Sequence, residues 1–599
     1  MRKIFNYEPI ITKEQIKQTS GKKKKGARAE NWTYTIKRIL DFVAEQKALL
    51  MVVLVLVVVS SVLALIGPFI IGRLIDRFIE GGSLSALDKW LYGLALIYLL
   101  YGLASYFQNY WMVSIAQQTV YRIRTQLYEH FFKLPLRFFD KRKHGELMSR
   151  ATNDIETISS TLNSAFIQVV SSILTLTGTV AVMLWLSPLL TLVTMLIIPL
   201  MFYGMRWITK RTSLLFKQQQ AAIGEMNGLI EESITGQHVV KAFSQEQEML
   251  RQFDEKNNRI RSVGFWSLTY SGFIPKVMNT LNSLSFAIVA CVGGIFAYYG
   301  HISIGTIVIF TEYARQFTRP LNDLANQFNT VLSALAGAER VFLILDKKPD
   351  QIEGNNVTLS GDVRFDNVSF QYDQDAVKPT LLNVSFNVES GQSVALIGQT
   401  GAGKTTIMQL LTGLYEKTAG RILFDGVPIE EISKANLRKQ MAFVLQDPFL
   451  FEMSIKDNIR YGKLDATDEE IIEAAKKANA HNFIDRLPNG YDTVVSGDGS
   501  QISQGQKQLI SIARAFVANP KILLLDEATS SIDTVTELHI QAALEKLMQG
   551  RTSFIIAHRL NTISQVDYVI VLNQGQIVEQ GSRNQLIEEQ GIFGQMLNV

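Results

Sequence analysis

At 599 residues the chain is too long for one core, and at least two domains are expected. A hydrophobic share of 47% beside 19% charged residues fits a chain divided between membrane and water, and a net charge of +4 gives no basis for a nucleic-acid partner. The single cysteine, Cys291, rules out an intrachain disulfide and a cysteine-built structural zinc site.

Met1 to Lys47 is largely polar and charged, so no cleavable signal peptide is read there. Lys22 to Lys25 is either a basic tail beside an anionic leaflet or a solvated flexible tail. Trp32 to Val43 has the pattern of an amphipathic helix on a membrane surface, with Trp32, Ile36, Ile39, Leu40 and Val43 on its apolar side. Uncharged runs then mark the spans. Ala48 to Gly72 is one and Trp90 to Tyr121 a second. Thr157 to Tyr203 makes two, divided at Leu186-Ser187-Pro188, and Val277 to Thr311 makes two more, divided around Gly300, His301 and Gly305. Between the spans, Leu127 to Leu147 and Phe216 to Phe253 read as helices that carry the membrane helices well past the bilayer. Lys and Arg crowd these long connections and are absent from the short turns, so the positive-inside rule puts both termini in the cytoplasm. The expected architecture is multi-domain: a helical transmembrane domain of six long helices, then an α/β P-loop domain. Its boundaries are a tail and surface helix at 1–46, the membrane domain at 47–343, a linker at 344–360 and the nucleotide domain at 361–599.

Ser393 to Ile397 reads as a strand that enters a glycine-rich loop: Gly398, Gln399, Thr400, Gly401, Ala402, Gly403, Lys404, Thr405 and then Thr406, where a helix begins. Glycines let successive N–H groups point at phosphate oxygens, Lys404 supplies charge and Thr405 a hydroxyl for Mg²⁺. A second run, Lys521 to Glu527, reads as a buried strand that ends in two carboxylates: Asp526, placed to hold Mg²⁺ through water, and Glu527, placed to orient or deprotonate the attacking water.

The chain from 360 to 599 resembles the ATPase domain of ATP-binding-cassette transporters. The resemblance makes Tyr372 the aromatic that stacks on adenine and Gln446 the glutamine that senses Mg²⁺ and the membrane domain. It makes Ile502, Ser503, Gln504, Gly505 and Gln506 the family signature, Asp533 part of the loop facing the partner cassette, and His558 the switch histidine at the γ-phosphate. The signature precedes a predicted helix, whose N-terminus attracts anions, and the family pairs it with the ATP of another cassette. ATP and Mg²⁺ are thus the implied cofactors, and a second chain the implied partner.

The membrane half resembles the exporters of this superfamily. Phe138-Phe139-Asp140 and Gly145 to Arg150 match their first cytoplasmic loop, and Glu231 to Phe243 the second, which implies short cross-helices that dock on cassettes and an alternating-access cycle. Gln316 to Asn322 and Gln504 are similar to the catalytically intact half of bacterial heterodimeric multidrug exporters, whose partner has a degenerate ATP site. Thr493 to Gly499 departs from the family, which commonly has a glutamate in this stretch where the chain reads Thr-Val-Val-Ser-Gly-Asp-Gly. Glu312 falls about 18 Å inward from Gly300 at helical rise, near mid-membrane, with Arg315 one turn on. Tyr106 and Tyr110 belong to an aromatic-rich second helix, and with Glu312 they suit a small amphipathic cation; packing aromatics and a structural ion pair are the alternative. The leading expectation is drug export across a bacterial cytoplasmic membrane. A lipid flippase and an ATP-gated regulator or channel are the rivals.

Overall fold

The computed structural model describes residues 31–79, 84–350, 354–373, 378–495, 502–526, 532–557 and 566–597. The chain divides into two compact units: Met1–Phe132 with His144–Lys347, and Lys133–Lys143 with Lys348–Val599.

In the first unit a short helix, α1 (Trp32–Ala44), precedes α2 (Lys47–Ile79) and α3 (Leu84–Lys133). Two short helices follow in the connection, α4 (Leu136–Asp140) and α5 (His144–Ser149), before α6 (Ile155–Leu186). Then come α7 (Pro188–Thr235), α8 (Gln237–Ala242), α9 (Glu246–Tyr298) and α10 (Ile304–Leu345). Five of the six long helices contain, among the described residues, a stretch long and apolar enough to cross a membrane. The sixth, α7, opens with the uncharged run from Pro188 to Met205.

The expected turns fall where the local chemistry demands. Ser187 caps α7 by accepting from Leu190 N, and Pro188 takes the first helical position. Ser303 caps α10 in the same way through Thr306 N, at 3.1 Å. The two long connections, by contrast, are broken rather than continuous helices. Pro135 has extended backbone and no N–H to give, so α3 ends at Lys133 and α4 starts anew. Gly236 ends α7, and Ser244, at φ 53°, turns the chain between α8 and α9.

α2 and α10 approach closely. A Cβ on Gly305 would lie 2.0 Å from the Gly72 carbonyl oxygen. The Asp76 carboxylate accepts from Ser303 Oγ and Gly305 N, both at 2.6 Å. Pro68 interrupts the hydrogen bonding of α2, and the buried Tyr313 of α10 donates to the nearby Leu65 carbonyl at 2.7 Å. A π-helical turn, Arg150–Asp154, leads into α6, and Arg340 of α10 grips Asp154 with two bonds of 2.8 and 2.5 Å. The apolar side of α1 is split. Val43 is buried and Ile39 half-buried, whereas Trp32, Ile36 and Leu40 stay exposed. Arg38 pairs with Asp346 and covers the Phe342 ring at the C-terminal end of α10.

In the second unit the strands are β1 (Val363–Phe370), β2 (Leu381–Val388), β3 (Ser393–Ile397), β4 (Ala419–Phe424), β5 (Val427–Pro428), β6 (Met441–Val444), β7 (Ile522–Asp526), β8 (Thr552–Ile556), β9 (Tyr568–Asn573) and β10 (Gln576–Ser582). An antiparallel sheet runs β2-β1-β4-β5, and a mostly parallel one runs β10-β9-β3-β8-β7-β6. Phe365, Phe386 and Phe554 fill the core between the sheets. A second core packs the other face of the six-stranded sheet against helices that include α11 (Gln504–Ala518) and α12 (Thr534–Met548). The central strands are apolar on both faces, as a doubly covered parallel sheet requires.

α4 belongs to this second unit. Arg137 donates to the Tyr372 carbonyl at 2.7 Å, Lys141 pairs with Asp373 at 3.1 Å, and Tyr415 Oη bonds Asp140. Leu136 packs on the core between the sheets.

Candidate functional site

Four parallel strands set the site. Leu396 on β3 pairs with Ile556 on β8, Ile556 with Asp526 on β7, and Leu525 with Val444 on β6. The carboxyl ends of all four therefore lie along one edge, where open α/β sheets bind ligands. The loop at Gly398 leaves β3, Asp526 ends β7 two strands away, about 10 Å at the usual strand spacing, and Gln446 follows β6, exposed. Glu527 and His558 follow Asp526 and Ala557 in sequence and lie outside the described residues.

Gly398, Gly401 and Gly403 all have positive φ, at 151°, 83° and 106°. The loop thus takes a path closed to ordinary side chains. At Gly398 a Cβ would also strike the Leu572 carbonyl at 2.3 Å, so no neighbouring side chain could yield room. After Gly403 the helix Lys404–Leu411 begins without a side-chain cap. Its first N–H groups have no helical carbonyl and face the end that favours anions. Lys404 is buried and its ammonium donates to the carbonyls of Gly398 and Gln399, at 2.7 and 3.1 Å. Burial pushes its pKa below the ordinary lysine value, and the charge of Asp526 pulls it back. Two of its three N–H donors hold the loop, which leaves one for a phosphate oxygen. Thr405 is exposed, as a metal-binding hydroxyl must be. A donor-lined cradle, an exposed hydroxyl and a carboxylate along one sheet edge fit a nucleotide with Mg²⁺.

Tyr372 is half-buried, edge-on to Phe370 and Tyr415, with its hydroxyl bonded to Thr406 and Gln409 of the loop helix. No pattern in the sequence marks that hydroxyl tie.

The signature residues form a separate group. Ser503 caps α11: its Oγ accepts from Gln506 N at 3.3 Å, and Gln506 Oε1 accepts from Ser503 N at 2.9 Å. A hydroxyl that accepts here still has its own proton to donate. Gly505 is required by packing, since a Cβ would lie 2.4 Å from Thr536 Cγ2 on α12. Asp533 caps α12 by accepting from Thr536 N at 2.9 Å, which holds its pKa below the usual 3.8. Among the described residues no hydrogen bond joins the phosphate loop to Ser503, Gln504, Gly505 or Gln506.

In the membrane unit Glu312 and Arg315 are brought together, at 3.4 Å. Tyr106 and Tyr110 stack at 6.2 Å on α3 and are both exposed. Among the described residues no hydrogen bond, ion pair or ring contact connects that stack to Glu312.

A phosphate-loop ATPase fused behind a bundle of membrane helices defines a nucleotide-driven membrane transporter. Residues 50–321 match the model of the ABC transporter transmembrane region, and residues 381–530 match the ABC transporter model. The chain is 54% identical to the ABC transporter ATP-binding protein YfiC of Bacillus subtilis, over 100% of this chain and 98% of that one. It is 41% identical to a fatty acid ABC transporter ATP-binding/permease protein of Mycobacterium bovis, over 86% and 82%. It is 35% identical to the putative multidrug export ATP-binding/permease protein YgaD of Bacillus subtilis, over 94% and 99%. The chain belongs to the ABC transporter family. It is an exporter half whose ATP hydrolysis is coupled to transport, and such halves work as dimers.

Proposed function

We propose that this chain exports small amphipathic compounds across a bacterial cytoplasmic membrane by alternating access, with both termini in the cytoplasm. Its partner in this reading is a non-identical half with a degenerate ATP site. The observation that carries the substrate class is the exposed Tyr106–Tyr110 stack on a helix read as membrane-spanning. Exposed aromatic faces there suit flat or cationic amphiphiles, and Glu312 supplies a counter-charge near mid-membrane. The relative named for multidrug export supports the reading.

At the ATP site, Thr405, Asp526 and Gln446 hold Mg²⁺, Tyr372 meets adenine, and Glu527 with His558 serves hydrolysis. Ser503 to Gln506 and Asp533 face the partner's ATP. The test is transport by the chain with its partner in proteoliposomes. Glu312→Gln should cut uptake of a cationic dye about threefold or more, with neutral substrates spared. Equal dye transport at equal protein would overturn the cation site. The relative named for fatty acids favours a second reading, transport of an acyl lipid. ATPase stimulation by fatty acid but not by dyes would select it.

A further inference from the structure

Three side chains of α11 reach the segment that follows β6. Gln508, buried, donates from Nε2 to the Leu445 carbonyl at 3.2 Å. Arg514 donates to the Phe449 carbonyl at 3.2 Å and holds Asn458 through its other nitrogens. Gln504 donates from Nε2 to Asp447 Oδ1 at 3.0 Å. Gln504 and Gln508 are four residues apart and so share a face of the helix. The outer two contacts are scaffold, because they hold main-chain carbonyls. The third is different: it is a side-chain bond from the first residue of the signature helix to the residue directly after Gln446.

We propose that Gln504 is a positioning residue that links the two ATP sites of the dimer through this one chain. The proposal rests on the reading above, in which Ser503 and Gly505 face the partner's ATP and Gln446 serves this chain's own. Gln504 lies between Ser503 and Gly505, and Asp447 is peptide-bonded to Gln446. Closure of the signature on a phosphate shifts the start of α11. The bond to Asp447 passes that shift to Gln446. The acceptor is a carboxylate, which makes the bond stronger than an amide pair, and the positive end of α11 favours the same charge. A residue without a side chain at 504 leaves Asp447 no donor from the helix. Sequence alone marked 504 only as a variant of the signature. The structure gives the variant a task.

The experiment is a double-mutant cycle in the full-length chain with its partner in nanodiscs, reading ATPase rate against ATP concentration, with melting temperature as the folding control. Gln504→Gly and Asp447→Ala should each lower the maximal rate about three- to tenfold and bring the Hill coefficient down towards one. The double variant should lose no more than the worse single, and Asp447→Asn, which keeps an acceptor, should retain the rate within about twofold. Additive losses in the double variant, unchanged cooperativity in both singles, or a wild-type complex without cooperativity each overturn the link. Ser503→Arg separates the two readings. ATP trapping at the partner's phosphate loop that survives that change overturns the composite site itself. Trapping lost there, with no coupling between Gln504 and Asp447, overturns only the link.

Discussion

The phosphate loop and the signature both use glycine, and for different reasons. Gly398, Gly401 and Gly403 are needed because the backbone has positive φ there, and at Gly398 the nearest obstacle to a Cβ is the Leu572 carbonyl. Gly505 sits in ordinary helix and is needed because Thr536 Cγ2 stands 2.4 Å, and Ile532 Cγ2 3.1 Å, from where a Cβ would be. One glycine is fixed by main chain, the other by neighbouring methyl groups. The phosphate loop is therefore set by its backbone conformation, whereas the signature is set by side-chain packing against α12 and responds to it. That difference suits a loop that cradles its own nucleotide and a surface that must move against another's.

The largest expected effect tests the division of labour at the loop. Glu527→Gln should lower hydrolysis about 10²-fold or more with ATP binding retained, seen in steady-state turnover beside nucleotide binding; normal turnover would remove Glu527 from the role of base. Gly398→Ala should come next. Strained backbone alone costs about 1–3 kcal/mol, and the carbonyl clash adds to it, so nucleotide affinity should fall at least tenfold with no side-chain change able to rescue it. Gly505→Ala should leave nucleotide affinity near wild type but slow hydrolysis, and Thr536→Ser, which removes the obstructing methyl, should restore a good part of the rate. Rescue of Gly398→Ala by a side-chain change, or no rescue at Gly505, would erase the contrast. The smallest effect is at Asp533. Its pKa is lowered because the carboxylate accepts the Thr536 N–H, so its stabilising contribution is complete above the ordinary value of 3.8 and fades as pH falls through the lowered value. Melting curves of Asp533→Ala and the parent should therefore differ at pH 7 and converge in strong acid.

Much of this arrangement was legible in the sequence. The strand before Gly398, the strand ending in Asp526 and the turns at Ser187 and Gly300 are local features, set by apolar runs and breakers, and they fall where expected. The connections read as helical from their periodicity, and short helices do lie in them, but where they break, at Pro135 and Gly236, periodicity alone does not say. What the sequence could not carry were meetings between distant segments: Gln504 with Asp447, Gly505 with Thr536, Tyr372 with Thr406, Arg340 with Asp154. Each joins residues whose separation along the chain holds no period. The substrate face is least legible, since exposed aromatics on a membrane helix carry the same pattern whether they meet lipid or cargo.

The placement of α4 bears on how this molecule can be taken apart. Leu136 lies on the core between the two sheets, and Tyr415 and Tyr372 both have partners in the segment 133–143. A soluble fragment cut at Lys348 would lose that segment and bare the apolar surface it covers. Isolated in that form, the ATPase domain would be a truncated fold, with a raised tendency to aggregate. Adding back a peptide spanning Lys133 to Lys143 would be the simplest remedy.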